Sequence, residues 1–106
     1  MSTDTTAMYE ARISTVPYAA TTLPHLLTYL VSMLESVVTQ HSLVRTVDLE
    51  VEKGPEYDTV TTRIRFEAAT YTEASTITHA AGDRVGTTDE HWRLVGVVVE
   101  QVERAL

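Results

Sequence analysis

The 106 residues carry fifteen acidic side chains against eight Lys and Arg, for a net charge of −7, and contain no cysteine. Disulfides, thiolate zinc sites and cysteine nucleophiles are thereby excluded. No two basic residues are adjacent, which weighs against direct nucleic-acid binding and against anionic membrane surfaces, since both need a basic face.

A chain of this length is expected to form one domain that buries roughly two-thirds of its unfolded surface. Residues 1–7 are polar and read as a flexible N-terminal arm, with 8–106 as the single domain. The arm has neither a basic start nor an apolar core, so no signal peptide is expected. Met8 to Val16 alternates weakly and reads as a first strand or an extended lead-in, stopped by Pro17. Thr22 then offers a cap, and Pro24 falls in the first helical turn, where its missing N–H costs nothing. Leu23, Leu26, Leu27, Leu30, Met33, Leu34, Val37, Val38 and His41 follow at helical spacing, and Tyr29 and Val31 widen the stripe. So wide an arc predicts burial on more than one side, by a sheet and by a second subunit. His25, Thr28, Ser32, Glu35 and Ser36 interrupt the apolar run, and a membrane span wants about 20 mostly apolar residues.

The central signal is a hairpin. Val47, Leu49 and Val51 alternate with Asp48, Glu50 and Glu52; Val60, Ile64 and Phe66 alternate with Arg63, Arg65 and Glu67. Period two on both sides of Gly54-Pro55 predicts antiparallel strands with one dry and one wet face. Placing Leu49 opposite Ile64 and Val47 opposite Phe66 sets Glu50 against Arg63 and Asp48 against Arg65. Beyond it, Tyr71 to His79 is rich in Thr and reads as a further strand. Residues 80–86, with two glycines, read as a loop. A second helix is expected from about Thr88 to Arg104, capped by Thr87 or Thr88, with Asp89 and Glu90 in its first turn. Trp92, Val95, Val98, Val99, Val102 and Leu106 would form its apolar face, and Gly96 a point of close approach. The predicted class is α+β: an antiparallel sheet of three to four strands with two helices on one face, in the order (β)-α-β-β-β-α.

Motifs of chemistry are sparse. His25 and His41 stand about 24 Å apart along one helix, and no HxH, HxxxH or HExxH spacing occurs, so neither metal nor cofactor is expected. No GxSxG elbow activates a serine. The loop 82–88 lacks the Lys and glycine spacing of a phosphate loop. One alternative site stays open: Tyr71, Glu73, His79 and His91 could line a cleft between sheet and helices, serving a small-molecule-binding or enzymatic dimer.

The stronger expectation is a non-enzymatic assembly subunit, a homo-oligomer or ring that meets copies of itself and other assembly proteins. Its contacts are expected at the arm up to Tyr9, along the hairpin as a sheet edge able to pair between chains, at its turn Gly54, Pro55, Glu56 and Tyr57, and at Arg63 and Arg65 on the wet face. In size and in a helix, antiparallel strands and helix layout, the chain resembles ring-forming neck and tail-terminator proteins of tailed viruses. With neither a signal peptide nor a membrane span expected, the chain reads as soluble and cytoplasmic, or, as the resemblance implies, as part of a virion.

Overall fold

Alternation in the strands sets the architecture, because each strand has one face to hide. The computed structural model describes residues 6–17, 24–88 and 92–103. Six elements follow one another: β1 (Ala7–Pro17), α1 (Pro24–Thr39), β2 (Val44–Glu52), β3 (Thr59–Ala68), α2 (Tyr71–Thr88) and β4 (Trp92–Val102). The strands form one sheet in the order β2-β3-β1-β4, with every neighbouring pair antiparallel. It follows that β1 runs parallel to β2 with β3 between them, and β3 parallel to β4 with β1 between them. Two βαβ units are thus interleaved, which is the split, ferredoxin-like arrangement.

Both helices cover one face. From β1 come Tyr9, Ala11 and Ile13, and from β3 come Val60, Ile64, Phe66 and Ala68, all buried. Leu30, Leu34, Val37 and Val38 of α1 close over them, with Leu26, Leu27 and Met33 partly buried beside them. The α1 stripe is therefore as its spacing foretells. Past its end, Ser42 donates its hydroxyl to the Glu67 carbonyl, and the Glu67 N–H donates to Leu43 O at 3.2 Å. These bonds tie the helix exit to β3.

The α+β class, the four-stranded antiparallel sheet and the two helices on one face agree with expectation. The last two elements, however, stand in the opposite order. Tyr71 to His79 is not a strand and 80–86 is not a loop; both belong to α2. Ala74, Ile77, Thr78, Ala81, Gly82 and Val85 repeat at three- and four-residue spacing and are all buried. Apart from Ile77 and Val85 the stripe is made of small residues, so a search for large apolar ones passes over it. Thr70 caps the helix, its Oγ1 accepting from the Glu73 N–H at 3.1 Å. Thr70 and Glu73 have the spacing of a capping box. Two threonines that oppose helix on propensity are accommodated by bonding their hydroxyls back one turn, Thr76 to Thr72 O and Thr78 to Ala74 O.

Conversely, residues 92–102 are a strand, where a helix over 88–104 is expected. A bulge explains the misreading. The register against β1 shifts between Ser14 and Thr15, leaving Val95 unpaired. Trp92 and Leu94 lie on the covered face before it, and Val97 and Val99 on the same face after it. One extra residue turns a two-residue period into a counterfeit of helical spacing. Gly96 meets nothing within 4 Å of where a Cβ would stand, so it permits no close helix approach. Gly82 does: a Cβ there would lie 2.7 Å from Val97 Cγ2, so its absence lets α2 settle on β4.

The hairpin pairs two residues away from the expected register, with Val47 opposite Ile64, Leu49 opposite Thr62 and Asp48 opposite Arg63. An even shift keeps every side chain on its face. Lys53 and Asp58, 2.9 Å apart, close the loop directly behind the last pair, Glu52 and Thr59.

Candidate interaction surface

The sheet face away from the helices is where the unexplained chemistry collects. Asp48 and Glu50 on β2, Arg63, Arg65 and Glu67 on β3, Glu10 and Arg12 on β1, and Glu100 on β4 alternate in sign across all four strands. Arg63 Nε lies 2.8 Å from Asp48 Oδ1, and its Nη1 lies 3.5 Å from Glu50 Oε2. Arg12 donates to Glu10 at 2.7 Å and also pairs with Glu100, while Arg65 donates to Glu10 at 3.1 Å. Arg45, the extra residue of a bulge in β2, pairs with Glu67.

Glu10 is the hub. It lies on a central strand, is only 6% exposed, and faces two guanidinium groups. Burial by itself raises its pKa, but the hydrogen bonds and charges of Arg12 and Arg65 outweigh this and hold the carboxyl below the usual carboxylate range. Hydrogen bonding to Glu10 raises Arg12 in turn, and bonding to Asp48 raises Arg63. The surface is therefore a fixed lattice of paired charge with little net sign. It suits a matching protein surface better than a single ion.

The expected interface residues divide. Gly54, Pro55, Glu56 and Tyr57 are exposed at the hairpin tip, and Arg63 and Arg65 lie on the open face. Tyr9 does not belong with them. It is a core residue on the covered face, its ring 6.4 Å from that of Tyr71. The arm expected over 1–7 lies outside the described residues as far as position 5. Thr6 donates to Glu67 at 2.9 Å, and Ala7 already starts β1.

Of the alternative cleft residues, Tyr71, Glu73 and His79 sit on the outer side of α2. All three are exposed, and His79 Nδ1 lies 2.8 Å from Ser75 O on its own helix. His91 lies outside the described residues. Between sheet and helices, Trp92, Phe66, Leu30 and Leu34 occupy the space. An open groove of about 370 Å³ does lie on the outside, lined by Leu27, Thr28, Val31, Ser32 and Leu49. Among the described residues, no helix is long and apolar enough to cross a membrane.

The hairpin does supply one sheet edge, β2, as expected, but sequence reasoning missed the other, β4. β2 ends the sheet on one side with Asp48, Glu50 and Glu52 exposed along it. β4 ends it on the other with Val95 and Val98 exposed by 56% and 52%. The available signal was the density of valines at 95, 97, 98, 99 and 102, β-branched residues that favour a strand over the helix their spacing suggests.

No protein-family model matches the chain, and no curated protein matches it either. Solved structures do share its fold. The de novo designed protein Foldit4 aligns with TM-score 0.53 at 16% identity, over 94% of this chain and 99% of its own. The C-terminal domain of the MgtC protein from Mycobacterium tuberculosis aligns with TM-score 0.54 at 12% identity, over 100% and 98%. AtUAH in complex with glyoxylate aligns with TM-score 0.58 at 14% identity, over 95% of this chain but only 29% of its own. At such identities the likeness concerns fold alone, and a designed chain among the matches illustrates how little a fold says about function.

Proposed function

We propose that this domain is an assembly module, whose work is to join copies of itself through its sheet. The observation that carries the reading is β4. It is an eleven-residue edge strand whose outer side has no neighbour in the sheet, and it exposes Val95 and Val98. Unpaired strand edges template pairing with another chain, and monomeric proteins commonly blunt them with charge. The paired charges of the open face add a surface of defined pattern beside that edge, and the exposed hairpin tip at Tyr57 adds a second contact. The helix, strands and helix layout behind the resemblance to viral ring proteins is not the order found, so the reading rests on the edge and not on that resemblance.

Light scattering at low salt and again in molar salt tests it. A discrete oligomer is expected, and it should persist in salt because valine contacts and backbone hydrogen bonds are screened little. A monomer at every concentration and salt overturns the proposal.

A further inference from the structure

We infer that the partner is a second copy of this chain, joined β4 to β4 in antiparallel fashion about a twofold axis at Val97, so that two sheets become one of eight strands. This rests on the assembly reading and adds the edge and the register. Directly opposed residues in an antiparallel pair share a face, and β4 satisfies that condition about Val97. With the bulged Val95 left out, the ladder runs Gly96, Leu94, Arg93 in one direction and Val98, Val99, Glu100 in the other. A twofold axis at Val97 therefore sets Gly96 against the second copy's Val98, Leu94 against Val99, and Arg93 against Glu100.

Two independent features fit that register. Gly96 has open space above it, and a glycine within a strand often marks where another chain comes close. The opposing Val98, half exposed in the monomer, fills that space, twice per dimer. The charges also match. Arg93 is exposed and has no ion-pair partner among the described residues, while Glu100 keeps about half of its side chain exposed beside Arg12. The twofold axis supplies each Arg93 with the opposite Glu100. Pairing through β2 has no such match, because Asp48, Glu50 and Glu52 would face their own kind.

Charge exchange tests the register. Arg93→Glu and Glu100→Arg are each expected to weaken the homodimer by about tenfold or more, since attraction becomes repulsion at two symmetric places. Mixed in equal amounts, the two variants should form a heterodimer in which both pairs attract. Val98→Asp, which leaves every intrachain pair in place and sets an acid opposite Arg12 of its own β1, should give a monomer. If all three variants keep the wild-type mass, or if the mixture fails to dimerise while Val98→Asp is monomeric and folded by circular dichroism, the inferred register is overturned. A wild-type chain that is oligomeric in that case leaves the assembly reading standing. A monomeric wild type removes both.

Discussion

The two edges of the sheet are built on opposite plans. β2 carries its charge on the open side and only a thin apolar cover beneath. Asp48 and Glu50 share Arg63, Arg45 reaches Glu67 from a bulge, and Val47, Leu49 and Val51 are only partly covered. β4 is held from beneath. Trp92 is fully buried, and Leu94 and Val97 meet the glycines of α2, while the outer side carries valines. The first plan spends charge to keep neighbours away. The second anchors a strand firmly and leaves its outer edge open, so the pairing proposed above would cost little further ordering.

Substitutions can break or sharpen this contrast. Trp92→Ala should cost about 3–5 kcal/mol in urea unfolding, whereas Leu49→Ala, on the half-covered edge, should cost about 1–2 kcal/mol. Equal losses would mean the edges are anchored alike. Glu10→Gln, which weakens the ionic lattice between the edges, should cost about 1.5 kcal/mol at neutral pH. Its sign with pH follows from a carboxyl whose pKa lies lower in the folded chain than in the unfolded one. The stabilisation is fully present above the usual glutamate value and is lost as pH falls through the depressed one. Thermal midpoints of wild type and Glu10→Gln should accordingly converge in acid; a gap that widens there would contradict the assignment.

The glycines of α2 supply a finer comparison. Gly82→Ala forces Val97 to move and should destabilise by about 1 kcal/mol net of the better helix propensity. Gly86→Ala meets only ordinary contact at 3.9 Å, and should stabilise by a few tenths of a kcal/mol. Opposite signs in paired denaturation curves are the test. Comparably small in stability is replacement of Asp48, Glu50 and Glu52 by Thr, at a few tenths of a kcal/mol, since these side chains are exposed. Its effect should emerge instead in mass, as species heavier than wild type at high concentration, because the blunted edge has been opened. An unchanged mass would show that charge is not what guards β2.

Legibility in the sequence followed side-chain size and interruption. The α1 stripe and the alternating hairpin are written in large residues at unbroken periods, and both were readable to within a residue or two at the ends. α2 was hidden because only Ile77 and Val85 of its buried stripe are large apolar residues, the rest being Ala74, Thr78, Ala81 and Gly82, although Thr70 and Glu73 carried a capping signal. β4 was hidden because the Val95 bulge breaks the alternation that would have announced it. The surface fared similarly. Arg63 and Arg65 were assigned to the open face from alternation alone, yet the centrality of Glu10 depends on β1 lying between β3 and β4. No linear pattern contains that neighbour order. Tyr9 is a core residue and not a contact for the same reason, its strand being central and not an arm.

The interleaving of the two βαβ units governs how the chain is born. β1 is synthesised before everything it touches, and its two neighbours are β3 and, last of all, β4. A ribosome elongating at about 5–20 residues per second therefore releases a strand that must wait for residues 59–68, and then again for residues 92–102. Until the second arrival, the edge of β1 that pairs with β4 has no hydrogen-bonding neighbour. Products truncated before Trp92 should consequently be the forms that quality control removes, since their exposed strand is the most apolar in the sheet's interior.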